Sequence, residues 1–381
     1  MATFYNAAQP LNIKTSGYGA NDIVEFVLRT RPGRSIKAGS IRFTGKLKVV
    51  KRNFDGSVAG LKMNDAVAFN PFCGAHSIIR NITTSVNNGI VENISYYPRL
   101  VGMLKQSQFT LEKLNTDSLS QAEFLGSQNG MYLLEENWED SMGRSFSIAP
   151  ENALNKSSAD LDNAKFSTLN VIMNLANEVE ALHTANQADS DYMLDPLTAF
   201  VGLTYTINDF QCNWIEVNEP PAPKVVLQTA QLITQSMVTS NSFFNVSTAG
   251  LPYDAIAISF IRQAHRNLLT EDNNLCEWIQ GLDGVNGRLE FNINGNDRPI
   301  AYPILSYQEC ALNYLKSLGG NFSRNSICNA YLSQTSTFGI GCSFLTSMND
   351  RLGVSVQTDA SLQAENCPSD AYIYIFSYAT I

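Results

Sequence analysis

A stretch in the first half of the chain returns in related form in the second half. Residues 89–105 read GIVENISYYPRLVGMLK, and residues 298–316 read RPIAYPILSYQECALNYLK. Alignment of the two places Tyr96 opposite Tyr307, and several apolar positions that follow these tyrosines also match. In both copies an extended apolar segment runs directly into a short amphipathic stretch. The second half therefore repeats the plan of the first, which predicts two domains of like topology.

Both copies carry the start signals of a helix. Pro98 stands where a first helical turn tolerates a residue without an N–H, and Leu100 and Leu104 fall on one face behind it. Ser306 and Glu309 have the S-x-x-E spacing in which each side chain caps the backbone amide of the other. The sequence therefore predicts two short helices inserted in a chain that otherwise has strand character.

The strand character rests on alternation. Between residues 41 and 49, apolar side chains alternate with basic and hydroxyl side chains, which is typical of a strand with one face in a core. Residues 23–29, IVEFVLR, are the predicted pairing partner of this strand. Residues 87–89, Asn-Asn-Gly between two apolar runs, predict a tight hairpin because these residues accept a positive φ. Many short strands separated by turn signals predict an all-β fold built from sandwiches.

Proline interrupts the chain near its middle. Residues 219–223 read EPPAP, and three prolines in four positions remove ladder donors and stiffen the backbone. A length of 381 residues also suits two domains. Residues 1–21 lack periodicity and predict an N-terminal arm that is ordered only against another surface. Residues 115–165 are polar and irregular, and they predict an insertion loop.

The charge balance argues against nucleic-acid binding. The net charge is −9 at pH 7, whereas phosphate recognition needs clustered Lys and Arg. Charged residues make up 16% of the chain, which is below the usual ~25% and points to a polar, uncharged surface with much of it hidden in contacts. The N-terminus has no signal-peptide pattern, and no run approaches the ~18 apolar residues of a membrane span. We therefore expect synthesis in a cytosol.

The cysteines are scattered and include no C-x-x-C pair. This spacing favours reduced, buried thiols, with a disulfide framework as the alternative. The seven positions are Cys73, Cys212, Cys276, Cys310, Cys328, Cys342 and Cys367.

The sequence offers no motif for catalysis. His76, His183 and His265 stand far apart, and none has a second ligand at metal-binding spacing. Nucleophile-elbow, Walker A and dinucleotide-binding patterns do not occur. The carboxylate pairs at 135–136 and 139–140 lie in the polar insertion, where a solvated loop is the favoured interpretation. We predict that the chain is not an enzyme, and we assign no catalytic, cofactor-binding or metal-binding residue.

A basic cluster departs from the acidic average. Arg42, Lys46 and Lys48 share one face of the alternating strand. One interpretation is a charged outer face that discourages strand pairing at a sheet edge. The other is a patch that meets an acidic neighbouring subunit or an anionic lipid. The cluster holds nine of the 26 basic residues: Arg29, Arg31, Arg34, Lys37, Arg42, Lys46, Lys48, Lys51 and Arg52.

Residues 74–105 and 288–318 together carry a family likeness. Each contains a strand-like segment, G-x-x-E-N-I or L-E-F-N-I, that precedes the inserted helix. Residues 338–362 and the closing 371–381 look like the last strands of a second roll. In pattern and order, most of residues 22–381 resembles the double jelly-roll major capsid proteins of the lineage that includes tailless icosahedral bacteriophages, adenoviruses and large DNA viruses.

The resemblance implies two tandem eight-stranded antiparallel jelly rolls with short inserted helices. It also implies a homotrimer that forms a pseudo-hexagonal capsomer and tiles an icosahedral shell, so that the protein resides in the virion. Implied partners are neighbouring capsomers, minor capsid or vertex proteins, and an internal lipid membrane reached through the arm or the basic cluster. No cofactor and no specific nucleic-acid contact are implied. The expected boundaries are an arm at 1–21, a first roll at 22–218 with the insertion at 115–165, a linker at 219–223 and a second roll at 224–381.

A β-sandwich also hosts sugar-binding and sugar-cleaving proteins, so a carbohydrate-binding or glycan-processing protein is the alternative. The two hypotheses differ in assembly. A capsid subunit is expected to be a stable trimer, whereas a lectin-like or hydrolase-like chain is expected to bind or cleave glycans as a monomer.

Overall fold

Strands make up most of the described chain, as the alternating patterns predicted. The computed structural model describes residues 3–53, 55–60, 67–69, 73–108, 144–162, 165–166, 168–184, 200–218, 224–246, 255–263, 288–293, 296–297, 340–343, 352–357 and 368–380. The strands in chain order are β1 Thr3–Ala8, β2 Tyr18–Gly19, β3 Ile23–Leu28, β4 Ser35–Ile36, β5 Arg42–Asn53, β6 Val58–Gly60, β7 Val67–Phe69, β8 Ile79–Val86, β9 Gly89–Ile94, β10 Arg144–Ile148, β11 Leu161–Asp162, β12 Leu169–Leu175, β13 Leu182–Thr184, β14 Phe200–Val217, β15 Val226–Met237, β16 Asn241–Val246, β17 Ala255–Arg262, β18 Arg288–Ile293, β19 Asn296–Asp297, β20 Ile340–Ser343, β21 Leu352–Gln357 and β22 Ser369–Thr380.

Among the described residues of the first half, three short helical segments interrupt the strands. They are a 3-10 helix at Ala75–Ile78, helix α1 at Tyr97–Gln108 and helix α2 at Glu178–Ala181. The predicted hairpin is also present, since β8 and β9 pair across Asn87 and Asn88, which have φ values of 52° and 63°. None of the helices in the described ranges is both long and apolar enough to cross a bilayer. The helix predicted behind Ser306 lies outside the described residues.

The main strands of the first half form two facing sheets with a crossed order. Sheet I contains the order β1-β14-β5-β10, with β2, β4, β6 and β11 as short additions. The first-half part of sheet II has the order β3-β12-β8-β9. When these eight main strands are numbered along the chain, the two orders become 1-8-3-6 and 2-7-4-5. This is a double-sheet jelly roll, because consecutive strands pass from one sheet to the other except at the β8–β9 hairpin.

The second half has the same strand order. Its part of sheet II runs β15-β22-β17-β20, and its other sheet, sheet III, runs β16-β21-β18-β19. Numbered from β15, these orders are again 1-8-3-6 and 2-7-4-5. The predicted fold class, all-β with two tandem eight-stranded jelly rolls, is therefore confirmed. Sheet II is continuous across both halves, while sheet I belongs to the first half and sheet III to the second.

The core of the first roll lies between sheet I and its part of sheet II. Phe26 of β3 stacks on Phe43 of β5 with 5.5 Å between ring centroids, and Phe210 of β14 meets Phe26 edge-on at 5.4 Å. The alternation around β5 therefore identified the inward side chains correctly. The predicted pairing of β5 with residues 23–29 is wrong, because β3 faces β5 across the sandwich and β5 pairs with β14 and β10 instead.

Two segments predicted to be irregular contain regular structure. Residues 3–8 of the predicted arm form β1, which pairs along its whole length with β14 of the same chain. Arg144–Ile148 of the predicted insertion forms β10, the edge of the crossed order in sheet I. In β10, Phe146 and Ile148 are buried and alternate with serines, which is a short strand pattern inside a polar segment. The segment 219–223 lies outside the described residues, so the linker stays a prediction.

Gly17 allows the chain after β1 to pass close to β14. Its φ is +79°, and a Cβ there would lie 2.8 Å from the carbonyl oxygen of Ile207 and 2.5 Å from the side-chain oxygen of Asn208. Gly33 has a similar φ of +75°, but a Cβ at Gly33 would meet no atom within 4 Å. Comparison of Gly17 with Gly33 therefore separates the cost of a left-handed backbone from the cost of steric contact.

We expect Gly17→Ala to lower the free energy of unfolding more than Gly33→Ala does. Both changes carry a left-handed backbone cost of about 1–2 kcal/mol, and only Gly17→Ala adds overpacking against β14 of about 1–3 kcal/mol. Thermal denaturation of the two variants measures the difference. Equal losses would show that contact with β14 does not constrain this segment.

Candidate functional site

The two rolls meet where the repeated stretch of the first half lies beside the second half. Strands β9 and β15 run parallel here, but their register consists of one pair, Asn93 with Gln231. Main-chain pairing between the rolls at this point is therefore short, and side chains supply most of the remaining contact. We call this region the junction. Its side chains are Glu92, Tyr96, Tyr97, Arg99, Tyr372 and Tyr374.

Glu92 links both rolls through its carboxylate. Along β9, Glu92 and Ile94 point to the buried face, whereas Ile90 is exposed. One oxygen of Glu92 accepts a hydrogen bond from the backbone N–H of Ala153 at 2.7 Å, and the other accepts from Ala230 at 2.8 Å. Since Ala230 belongs to β15, a side chain of the first roll satisfies a backbone donor of the second.

The buried environment of Glu92 changes the pKa of its carboxyl group. Burial raises the pKa of Glu92 to about 7, against the lowering effect of the two backbone hydrogen bonds and of the charge on Lys156. Desolvation disfavours the ionised form of a carboxyl group, and here it outweighs the hydrogen bonds that favour that form. Near neutral pH, Glu92 is therefore balanced between its neutral and ionised forms.

The segment that contains Ala153 is held between the rolls. Ser158 donates its backbone N–H to the carbonyl oxygen of Val226 at 2.9 Å, and the Ser158 hydroxyl accepts from the Val226 N–H at 3.0 Å. Beside it, Ser157 and Leu227 form an isolated antiparallel bridge. Lys156 and Glu151 form an ion pair at 3.0 Å within the same turn. The end of the predicted insertion thus serves as an internal contact between the rolls.

Tyr96 turns the chain from β9 into α1 and touches the second roll. Its φ is 49°, an unusual value for a residue other than glycine, asparagine or aspartate. The Tyr96 carbonyl oxygen accepts from the hydroxyl of Tyr374 at 3.1 Å, and the Tyr96 ring meets that of Tyr372 edge-on at 5.2 Å. Backbone strain of this kind persists where surrounding contacts fix it, and here two of those contacts come from β22.

Arg99 places a buried charge against the same strand. Its side chain is 1% exposed, and the guanidinium carbon lies 4.2 Å from the centroid of the Tyr372 ring. A cation over an aromatic face is attracted more strongly when both are removed from water. Arg99 therefore adds a cation–π contact between α1 of the first roll and β22 of the second.

His76 has a structural role beside the junction. Its Nδ1 lies 3.0 Å from the Tyr97 hydroxyl, which also accepts the backbone N–H of Glu151 at 2.9 Å. His76 is completely buried, and His183 lies in β13 opposite Ala68. The third histidine lies outside the described residues. Within the described ranges, no group of three His, Cys, Asp or Glu side chains is placed to hold a metal ion.

A small polar cavity adjoins the junction. It has a volume of about 240 Å³ and is bordered by Tyr96, Tyr372 and Asp370 among other residues. Asp370 accepts hydrogen bonds from the Ser236 hydroxyl at 2.7 Å and from the Gln263 amide at 2.9 Å. Tyr372 is 2% exposed, so its ring is not available for stacking on a sugar.

Part of the basic cluster lies on the outer face of sheet I. The Arg42 guanidinium donates to the hydroxyl and the carbonyl oxygen of Ser147, and Lys46 pairs with Asp209 at 3.0 Å. Lys46 lies between Asn208 of β14 and Ser145 of β10, so this stretch of β5 is not an edge. The interpretation that these cations discourage edge pairing is therefore wrong for this stretch.

Another member of the cluster fixes β1. The Arg34 guanidinium lies 3.5 Å from the centroid of the Phe4 ring and 3.4 Å from a carboxylate oxygen of Glu216. Glu216, which is fully buried in β14, also accepts from the Asn6 amide at 2.7 Å. This role was not predicted for the basic cluster, because Phe4, Asn6 and Glu216 meet Arg34 only in the folded chain.

The described cysteines agree with the thiol interpretation. Cys212 is a free, buried thiol whose pKa is raised by burial, and Cys73 is also buried. Four of the remaining positions, at 276, 310, 328 and 367, lie outside the described residues. The carboxylate pairs of the polar insertion also lie outside them.

The chain is similar to known proteins in its fold and not in its sequence. No protein-family model matches the chain, and no curated protein matches it. Among solved structures, the Faustovirus major capsid protein superposes with a TM-score of 0.67 at 7% identity, covering 100% of this chain and 90% of that one. This chain has the fold of viral major capsid proteins. VP54 of PBCV-1, fitted into a reconstruction of the virophage Sputnik, gives 0.60 at 10% identity and covers 100% and 94%. The mavirus major capsid protein gives 0.52 at 11% identity and covers 98% and 86%.

These superpositions cover 98% to 100% of this chain, so the likeness includes both rolls. Since all of these identities are low, the likeness concerns architecture and leaves individual contacts to be derived from this chain. The junction residues Glu92, Tyr96 and Arg99 are such contacts. They lie in the stretch whose repeat first indicated two domains, and a glutamate at an inward position of a strand was the available signal for Glu92.

We expect Arg99→Ala to destabilise the junction by about 2 kcal/mol or more, because it removes a desolvated cation–π contact and the packing of the side-chain stem. Arg52→Ala, at an exposed position of β5, is the matched control and should change stability by less than about 0.5 kcal/mol. The midpoint of urea denaturation measures both. Equal midpoints for the two variants would contradict a structural role for Arg99.

Proposed function

We propose that this chain is a viral major capsid protein, which assembles with copies of itself into a shell and performs no catalysis. The observation that carries the proposal is the strand order 1-8-3-6 and 2-7-4-5, which occurs twice in tandem. Matching structures over 98% to 100% of the chain are major capsid proteins. A fold alone does not specify a function, so the proposal also rests on how the chain uses its polar groups.

The buried polar groups serve structural contacts. Glu92 and Glu216 accept backbone or amide donors, and Arg34 and Arg99 lie on aromatic rings. The Tyr97 hydroxyl joins a helix, a histidine and a turn. This use of polar side chains suits a subunit whose work is to hold a shape, and it favours the capsid role over a glycan-processing role.

We propose that three copies form a homotrimer. Two rolls in each of three chains place six similar sandwiches around one axis, which forms a pseudo-hexagonal capsomer that can tile an icosahedral shell. Obligate interfaces of this kind commonly bury more than ~2,000 Å². A chain with 16% charged residues has the polar, weakly charged surface that suits such burial.

The proposed domain division follows the jelly-roll order. The first roll begins with β1 and therefore includes residues 3–8, which replaces the expected start at residue 22. It extends to 218, a linker covers 219–223, and the second roll occupies 224–381. In this division the described residues before 22 belong to the first roll, since β2 also pairs with β14.

We propose that the protein resides in the virion after synthesis in the host cytoplasm. Its proposed partners are neighbouring capsomers and minor capsid or vertex proteins. An internal membrane with anionic lipid is a further proposed partner through the outer face of sheet I, where Lys46 and Lys48 lie beside Asn208 and Thr206.

The purified chain is expected to have a mass three times that of one protomer in size-exclusion chromatography with light scattering. Negative-stain images of the same fraction are expected to show hexagonal plates with threefold features. A stable monomer that binds or cleaves oligosaccharides would contradict the capsid proposal and support the glycan-binding alternative.

A double substitution tests the outer face of sheet I. We expect Lys46→Glu with Lys48→Glu to weaken binding to vesicles that contain anionic lipid and to reduce the salt dependence of that binding, because about 1 kcal/mol is gained per basic residue near such a surface. Lys14→Glu is the control, since Lys14 is an exposed cation elsewhere in the first roll with an acidic partner, Asp22. Unchanged vesicle binding in a co-sedimentation assay would remove the membrane from the proposed partners.

A further inference from the structure

Glu92 is an acid buried without a neutralising partner. It is 4% exposed, and among the described residues it forms no ion pair within 4 Å. Its two oxygens are used by backbone donors from different segments, Ala153 in the turn after β10 and Ala230 in β15. Any movement that separates β9 from β15 or from the turn therefore returns this carboxyl group to water.

Two charged side chains of the turn, Lys156 and Glu151, are paired with each other. Lys156 contributes a favourable charge to Glu92, but its ammonium group is bonded to Glu151 at 3.0 Å. Strand β15, which supplies one of the two donors, contains no titratable side chain. The turn therefore reduces the cost of ionising Glu92 without cancelling it.

The other charged groups around the junction contact partners other than Glu92. On β8, Arg80 pairs with Glu180 at 3.5 Å. On α1, Arg99 lies over the ring of Tyr372, and on β22 Asp370 is bonded by Ser236 and Gln263. The buried His76 is bonded to Tyr97. Each of these groups has a partner of its own, so the protonation of Glu92 is the one that exposure of the junction changes directly.

We infer that Glu92 couples the contact between the two rolls to proton uptake, so that the junction is tighter when Glu92 is protonated and looser when it is ionised. The closed junction keeps Glu92 dry, whereas the opened junction hydrates it. An ionised carboxylate gains more from hydration than a neutral carboxyl group does, and it therefore favours the open form.

The direction of the pH dependence follows from linkage. The pKa of Glu92 is about 7 in the closed form against an ordinary value of 4.5, so closing the junction takes up a proton between these values. The extra stability is fully present below pH ~4.5, falls as pH rises and is lost once pH has passed ~7. Over that interval the equilibrium for closing falls by up to about tenfold per pH unit.

The coupling is a property of a single chain and does not need the capsid role. Its consequence for a shell rests on the proposed function: in a capsomer, the angle between the two rolls sets the outline of the tile, and a proton-linked junction would make that angle firmer in mildly acidic surroundings.

Hydrogen exchange of the full-length protein tests the coupling. Exchange of peptides that contain the Ala153 and Ala230 amides is followed by mass spectrometry between pH 5 and pH 8.5, after correction for the intrinsic pH dependence of exchange. We expect protection of both amides to fall by up to about tenfold per pH unit between pH 5 and pH 7 and then to level off. Peptides from β12, which lies away from the junction, should show no such change.

Two variants identify the group that titrates. Glu92→Gln should remove the pH dependence of protection, because the amide does not ionise. Glu25→Gln in β3 of the same sheet is the matched control and should keep the wild-type profile. A wild-type profile that is flat across pH 5 to 8.5, or a Glu92→Gln variant that retains the slope, would overturn the inference.

Lys156→Met provides a second test if Glu92→Gln does not fold, since Gln offers only one acceptor to the two backbone donors. Loss of the Lys156 charge removes an influence that lowers the pKa of Glu92, so the pH at which protection levels off should move upward. An unmoved profile would count against Glu92 as the titrating group.

The mass of the species is measured in the same samples. A monomer with a titrating junction contradicts the capsid proposal alone, and a trimer with a flat profile contradicts the inference alone.

Discussion

The arrangement of the two rolls depends on burying the carboxyl group of Glu92. A buried acid is tolerated when its oxygens are hydrogen-bonded, and both acceptor positions of Glu92 are filled by backbone groups from separate segments. If either segment leaves, its backbone hydrogen bond to Glu92 is lost and water reaches the carboxyl group. Together with the contacts of Arg99 and Tyr96 on β22, this contact makes a short parallel pairing of strands into a specific interface.

The junction also explains how two sandwiches share one sheet. Strand β9 ends the 2-7-4-5 order of the first roll, and β15 begins the 1-8-3-6 order of the second. Each strand would be an unprotected edge if its roll were alone, and free edges invite pairing with other chains. Pairing them with each other removes two such edges at once. The side-chain contacts, together with the bridge between Ser157 and Leu227, then keep the rolls in one orientation.

Local patterns in the sequence were sufficient for strands such as β3 and β5, for the hairpin and for the first helix, because side-chain alternation and turn chemistry act over a few residues. The pairing partner of each strand was harder to predict from the sequence. Strand β5 pairs with β14, in a register that runs from Asn53 with Phe200 to Arg42 with Asn213, and nothing local to either strand specifies it. The arm was misjudged for the same reason, since β1 is short and its partner is distant. Glu92 could have been noticed as an acid at an inward position of β9, but the donors that satisfy it come from two remote segments.

The place of β1 has a consequence during synthesis. Asn6 and Glu216, which are bonded in the finished roll, are separated by 210 residues. At a translation rate of about 5–20 residues per second, the amino-terminal strand waits about 10–40 s for β14 to emerge from the ribosome. During that interval Phe4 and its neighbours have no sheet to join. A nascent chain of this design is therefore a natural client for a chaperone that shields the first strand until its partner has been made.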